Sequence, residues 1–198
     1  MYTYRVKAMK INLILLASGN SRRFKDNKLL SIINNKPMFM NVVKEVLKLD
    51  FNKIILVTQY EKIKEMLSEK NIEVVMNKNS DLGISHSIVI GIQNDTNADG
   101  YMFMVCDQPF IKADTIKRLV NKFISSNKGI VCVEYNGLTG NPAIFSKKYV
   151  NDLMNLKGDI GGKCIINRNL HDLETIKVYD KLEIVDIDTK KEFYDLMI

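Results

Sequence analysis

Two groups of residues in this sequence have types and spacings suited to phosphate chemistry. The first is Leu16-Ala-Ser-Gly-Asn-Ser-Arg-Arg-Phe-Lys-Asp-Asn-Lys-Leu-Leu30, where an apolar run gives way to small and polar residues, paired arginines and a lysine. A strand ending in a Gly/Ser turn leaves several backbone N–H groups at its tip, free to bind an anion. Arg22, Arg23 and Lys28 add fixed positive charge within a few residues of that tip. Such a loop can hold a polyphosphate, although a solvated basic loop would read the same way. It is neither the GxxxxGK(S/T) loop nor the GxGxxG fingerprint.

The second group is Cys106-Asp-Gln-Pro109, directly after the apolar residues Tyr101–Val105. A carboxylate at the C-terminal tip of a strand is placed to hold Mg²⁺, which takes one or two carboxylates plus substrate phosphates. An aspartate there also commonly caps a turn. Three smaller segments stand beside these. Gly83-Ile-Ser-His-Ser87 precedes a helical pattern and offers hydroxyls to a ribose or base, or a serine N-cap. Gly140-Asn-Pro142 reads locally as a turn. Gly158-Asp-Ile-Gly-Gly162 presents Asp159 to a metal or substrate, or caps the helix that follows. His86 and His171 match no zinc or triad signature and are read as non-catalytic.

The elements that must position these residues alternate between strand and helix. Apolar runs at Ile11–Leu16, Lys53–Thr58 and Tyr101–Val105 read as buried strands, and Ile72–Met76 as a short β-rich strand. Helices are expected from Lys36-Pro37 to Leu49, over Glu61–Lys70, through Ile84, Ile88 and Ile92, and over Asp114–Ser125. Gly129–Tyr135 reads as a strand ending at the Asn136-Gly137 turn, with a short return strand at Ala143–Phe145. Short helices at Tyr149–Leu156 and Gly162–Asn167, strands at Thr175–Val178 and Ile184–Ile187, and a helix over Lys190–Met197 complete the chain. The alternation predicts an α/β fold: an open, mainly parallel sheet with helices on both faces. Ligands of such sheets bind beyond the carboxyl ends of the strands. The polar insertions after strands one, three and four fall at that edge.

With 198 residues and 46% hydrophobic composition, the chain should form one full-sized domain over residues 11–198, with residues 1–10 as an N-terminal extension. A net charge of +6 favours anionic partners. No compact basic run with interleaved aromatics supports nucleic-acid binding, and no apolar run approaches a membrane span. Cys106, Cys132 and Cys164 lie far apart without a CxxC, which argues against zinc and disulfides and for a reducing cytoplasm.

Together the pieces resemble one family. LASGNSRRFKDNKLL is similar to the LAAGxSxRxGxxK signature of the MobA-like nucleotidyltransferases. Gly83-Ile-Ser-His-Ser87, Cys106-Asp-Gln-Pro109, Gly140-Asn-Pro142, Gly158-Asp-Ile-Gly161 and Val185-Asp-Ile-Asp-Thr189 are similar to further motifs of that family. The combination most resembles the molybdenum cofactor cytidylyltransferases, which transfer CMP from CTP to molybdopterin bearing molybdenum and release pyrophosphate. The resemblance implies a single-domain, three-layer α/β/α Rossmann-like fold and a Mg²⁺-dependent enzyme. It implies Asp107 at the metal, with Asp159 as a second metal or acceptor residue, and Lys28 and Arg22 at the triphosphate. It places Leu16, Ala17, Ser18, Gly19 and Ser21 in the base and backbone cradle, with Asn77, Ser85 and Ser87 as further nucleotide contacts. Lys28 is expected to be exposed. Ser18, where guanylyltransferase relatives carry glycine, is expected to narrow the base pocket toward a pyrimidine.

The chain departs from the family at Lys25, a glycine there; at Lys163, an arginine there; and at Lys190, where the family has a helix-starting proline. Two rival readings stand beside the first. One is a transferase acting on another phosphorylated acceptor, or using GTP. The other is a non-catalytic accessory protein that hands the cofactor to a molybdenum hydroxylase.

Overall fold

A computed structural model of the chain describes residues 9–21, 23–24 and 26–196. Arg22, Lys25 and most of the expected N-terminal extension lie outside the described residues. In chain order the elements are β1 (Ile11–Ala17), β2 (Ile32–Ile33), β3 (Lys36–Pro37), α1 (Met38–Val46), β4 (Lys53–Thr58), α2 (Glu61–Met66), β5 (Glu73–Met76), α3 (Ile84–Asn94) and β6 (Gly100–Val105). They continue with α4 (Ala113–Ser125), β7 (Ile130–Tyr135), β8 (Leu138–Ser146), α5 (Val150–Met154), α6 (Lys163–Arg168), β9 (Leu173–Lys177) and α7 (Lys190–Asp195).

The main sheet has the order β5-β4-β1-β6-β8-β7-β9, with only β8 antiparallel to its neighbours. The interior strand β1, between β4 and β6, is apolar except for the buried Asn12, whose side-chain amide accepts from Asn52 and donates to the Asp95 carbonyl. Ile11, Leu13, Leu15 and Ala17 pack into one core with α1, α2 and α4, while Ile14 and Leu16 pack into a second with α3, α5 and α6. A strand covered on both faces has no side on which a polar residue is free of cost. The sheet and its two helical layers make the expected three-layer α/β/α arrangement. No helix among the described residues is long and apolar enough to cross a membrane.

Several local expectations are corrected. Lys36-Pro37 does not open the first helix; it pairs with Ile32–Ile33 in a small hairpin, and α1 runs from Met38 to Val46. The Asn136-Gly137 turn is present, but its return strand spans Leu138–Ser146 and contains Gly140-Asn-Pro142. Proline cannot donate to a ladder, and the Asn141 side chain substitutes for the missing rung. It accepts from the Val105 N–H at 3.1 Å and donates to the Phe103 carbonyl at 3.2 Å. Ile184–Ile187 is not a strand. It crosses the carboxyl end of β6, where the Ile187 N–H donates to the Asp107 carbonyl at 3.0 Å and Gln108 donates to the Ile184 carbonyl at 3.2 Å. Apolar residues there fill the edge of the core without a neighbouring strand to pair with.

Candidate active site

The turn after β1 lies at the carboxyl edge of the sheet beside the segment that follows β6. Lys28 opens a short 3-10 turn capped by Asn27, whose side chain accepts from the Leu29 N–H at 3.1 Å. From that fixed backbone the lysine runs inward. Its side chain is 10% exposed, and Nζ sits 2.7 Å from Asp107 Oδ2 and 2.8 Å from Asp188 Oδ1. The expectation of an exposed lysine is therefore wrong: two partly buried carboxylates draw the amine in. Burial disfavours its charge, but Asp107 and Asp188 outweigh that cost and hold its pKa above the ordinary lysine value.

Asp188 is the residue that sequence reasoning left without a role, although its segment was recognised. Its second oxygen accepts from Arg23 at 2.6 Å. Burial works against the Asp188 charge, yet Lys28 and Arg23 hold its carboxyl below the usual range. Thr189 and Glu192 form a capping box at the start of α7, and Glu192 also accepts from the Asp188 N–H at 2.9 Å. This box starts the helix without the family's proline. Lys190 pairs with Asp26 at 2.7 Å, and Phe193 meets Phe24 edge-on with centroids 5.9 Å apart. The chain's last helix thus clamps the first loop.

These groups line a polar cleft of about 280 Å³ between the Gly19–Ser21 turn, Asp159 and Asp188. A second cleft of about 180 Å³ shares Gly19, Asn20, Asp107 and Asp159 with it and adds Leu16, Ser18 and Ser87. A third, about 440 Å³, shares Leu16 and Ile84 with the second and continues between Ile88, Phe103, Phe145 and Ile166, with Lys163 on its wall. One continuous groove results, charged at one end and apolar at the other.

The remaining candidates divide. Leu16, Ser18, Gly19, Ser21, Ser87 and Asp159 line the groove, as do Lys28 and Asp107. Ala17 is buried, and its carbonyl accepts from Thr58 at 3.0 Å. Asn77 lies behind the wall at 1% exposure, donating to Ser87 Oγ at 3.0 Å and lying 2.9 Å from His86 Nδ1. Ser85 is buried and is not the N-cap of α3; Gly83 is. Arg22 cannot be placed among the described residues.

Gly83 has φ +85°, and a Cβ there would stand 2.4 Å from the Gly158 carbonyl group. The Ser85 N–H donates to that same carbonyl at 3.2 Å, so α3 and the Asp159 loop are docked through a glycine contact. Gly83→Ala is expected to cost about 2 kcal/mol or more, from left-handed strain and backbone overlap. Thermal melting would show it; an unchanged Tm would mean the docking is loose.

The metal question rests on Asp107. Its Oδ1 is buried and has no hydrogen-bond partner, while Oδ2 is engaged by Lys28. Asp107 lines the polar cleft, and a carboxylate oxygen left without a partner there fits a divalent cation. Among the described residues there is no group of three His, Cys, Asp or Glu side chains around one point. Mg²⁺ takes few protein ligands where phosphates supply the rest.

Residues 13–173 match the MobA-like NTP transferase domain. The chain is 31% identical over 121 residues to the bifunctional protein GlmU of Thermosipho melanesiensis, with 59% of this chain and 26% of that protein covered. It thus spans about a quarter of the length of that relative. It is 31% identical over 122 residues to a probable molybdenum cofactor guanylyltransferase of Thermococcus sibiricus, covering 61% of this chain and 59% of that one. The fold is shared with Rv0371c of Mycobacterium tuberculosis, solved in complex with manganese. There the TM-score is 0.81 at 20% identity, with 96% of this chain and 98% of that chain covered.

Proposed function

This chain belongs to the MobA-like NTP transferase family, and we propose that it transfers CMP from CTP to a molybdopterin-type cofactor, releasing pyrophosphate. The observation that carries the reading is the Lys28 amine, fixed between Asp107 and Asp188 on the floor of a groove with a polar and an apolar end. The cytidine would lie along Leu16–Gly19, and the triphosphate would run toward Lys28 and Arg23. The acceptor would enter from the apolar end, its phosphate attacking the α-phosphorus in line with the departing pyrophosphate. Lys28 and Arg23 neutralise charge on the triphosphate, and fixed positions spare the entropy of assembling the reactants. Asp107, with Asp159 across the cleft, would hold Mg²⁺, which supplies further neutralisation of phosphate charge. A molybdenum hydroxylase is the proposed recipient of the product.

Ser18 donates to the Val57 carbonyl at 3.1 Å, so its influence on a base is steric rather than through its hydroxyl. Overpacking a pocket costs ~1–3 kcal/mol, a preference for CTP of roughly ten- to hundredfold over GTP. The test is pyrophosphate release from CTP and GTP with Mg²⁺ and molybdenum cofactor, in wild type and Ser18→Gly. Acceptor-dependent release favouring CTP, with the gap narrowed in Ser18→Gly, is expected. A GTP preference would return the base choice to the guanylyltransferase relative. No release with either nucleotide, but retained cofactor binding, would make the protein a carrier.

A further inference from the structure

The residues after β4 hold the first loop from behind. Gln59 Nε2 donates to the Ser18 carbonyl at 2.8 Å and to Asn20 Oδ1 at 2.7 Å, while its Oε1 accepts from Ser80 at 2.9 Å. Tyr60 donates its hydroxyl to the Gly19 carbonyl at 2.7 Å. Two successive carbonyls are therefore tied to neighbouring side chains just after β4. In a planar trans peptide the N–H points opposite to the carbonyl of the same unit. Fixing the Ser18 and Gly19 carbonyls thus turns the Gly19 and Asn20 N–H groups away from Gln59 and Tyr60. Neither N–H has a backbone acceptor among the described residues, and both residues line the polar cleft. A Cβ built at Gly19 meets nothing within 4 Å, so there is open space beside this residue.

We propose that Gln59 and Tyr60 are positioning residues for a phosphate cradle, aiming the Gly19 and Asn20 N–H groups at the β- and γ-phosphates of the nucleotide. This rests on the nucleotidyltransferase reading but assigns two residues outside the recognised motifs. Neither side chain touches the reacting atoms. Their contribution is to hold two donors in one orientation before the anion arrives, which spares reorganisation on binding.

Tyr60→Phe keeps the ring and deletes one hydrogen bond. Gln59→Glu keeps the shape but sets a carboxylate against the Ser18 carbonyl. Each is expected to raise the Kd for Mg-CTP and for inorganic tripolyphosphate in parallel, by about three- to tenfold. KM should rise with them while kcat changes by less than about twofold. In ¹⁵N spectra of the wild type, tripolyphosphate should shift the Gly19 and Asn20 amides, and either substitution should diminish that shift. Tripolyphosphate has no base or ribose, so this response isolates the cradle. If wild type binds both ligands and the variants bind them equally well, the positioning role is overturned while the nucleotide reading stands. If wild type binds neither, both fall.

Discussion

Lys28→Met is expected to lower kcat/KM by about a hundredfold or more, the usual cost of removing a charge aimed at a transition state in an enclosed site. It should also lower stability, because Asp107 and Asp188 would then share a small space without the amine between them. Breaking a fully buried pair costs about 3–5 kcal/mol, but Asp188 keeps partial access to water, so a loss of about 1–3 kcal/mol is expected. Lys28→Arg keeps the charge and changes its shape, and should retain more stability than activity. The pH dependence has a definite sign. The Lys28 pKa is raised, so its contribution is full at neutral pH and disappears only as pH climbs through that raised value. The Asp188 pKa is lowered, so its contribution is present at neutral pH and disappears as pH falls through that lowered value. Activity between about pH 6 and about pH 9 should therefore show no titration of this pair. Chemical denaturation of the two variants beside steady-state rates would check all of this. Wild-type rates in Lys28→Met would remove the lysine from the site.

Asp107→Asn should have an effect on turnover as large, with a different signature. The substitution keeps volume and a partner for Lys28, while Asp188 still carries the counter-charge. Stability should stay close to wild type. Turnover should fall by about a hundredfold or more, and higher Mg²⁺ or Mn²⁺ concentrations should be needed to reach whatever rate remains. This separates the two carboxylates: Asp188 pairs with Lys28 and Arg23 through both oxygens, whereas Asp107 keeps one oxygen unpaired. A near-normal rate with unchanged metal dependence would show that the Asp107 oxygen is structural.

Much of the fold was legible in the sequence because burial leaves a periodic record. Apolar runs in β1, β4 and β6 mark strands covered on both faces, and Ile84, Ile88 and Ile92 mark a helix face. The phosphate-loop composition, the aspartate after β6 and the order of short motifs were likewise local, and they pointed to the family. Where local signals misled, pairing decided. Pro142 reads as a turn because proline cannot join a ladder, yet Asn141 supplies the rung and β8 continues. Ile184–Ile187 reads as a strand because it is apolar, yet it has no neighbour to pair with. The state of Lys28 was beyond any local reading. Its partners lie 79 and 160 residues away: the pairing of β1 with β6 brings Asp107 near, and the crossing of the sheet's carboxyl edge by the chain's last segment brings Asp188 within hydrogen-bond distance. Gln59 and Tyr60 left no signal either, since a glutamine and a tyrosine after a strand are ordinary until the carbonyls they hold are known. The sequence by itself determined which segments are buried and which residue types gather at one edge. Tertiary structure alone decided which charges pair, which carboxylate oxygen is left over, and which way the loop's peptide groups face. Those depend on distances between segments remote in the chain, and local periodicity carries no record of them.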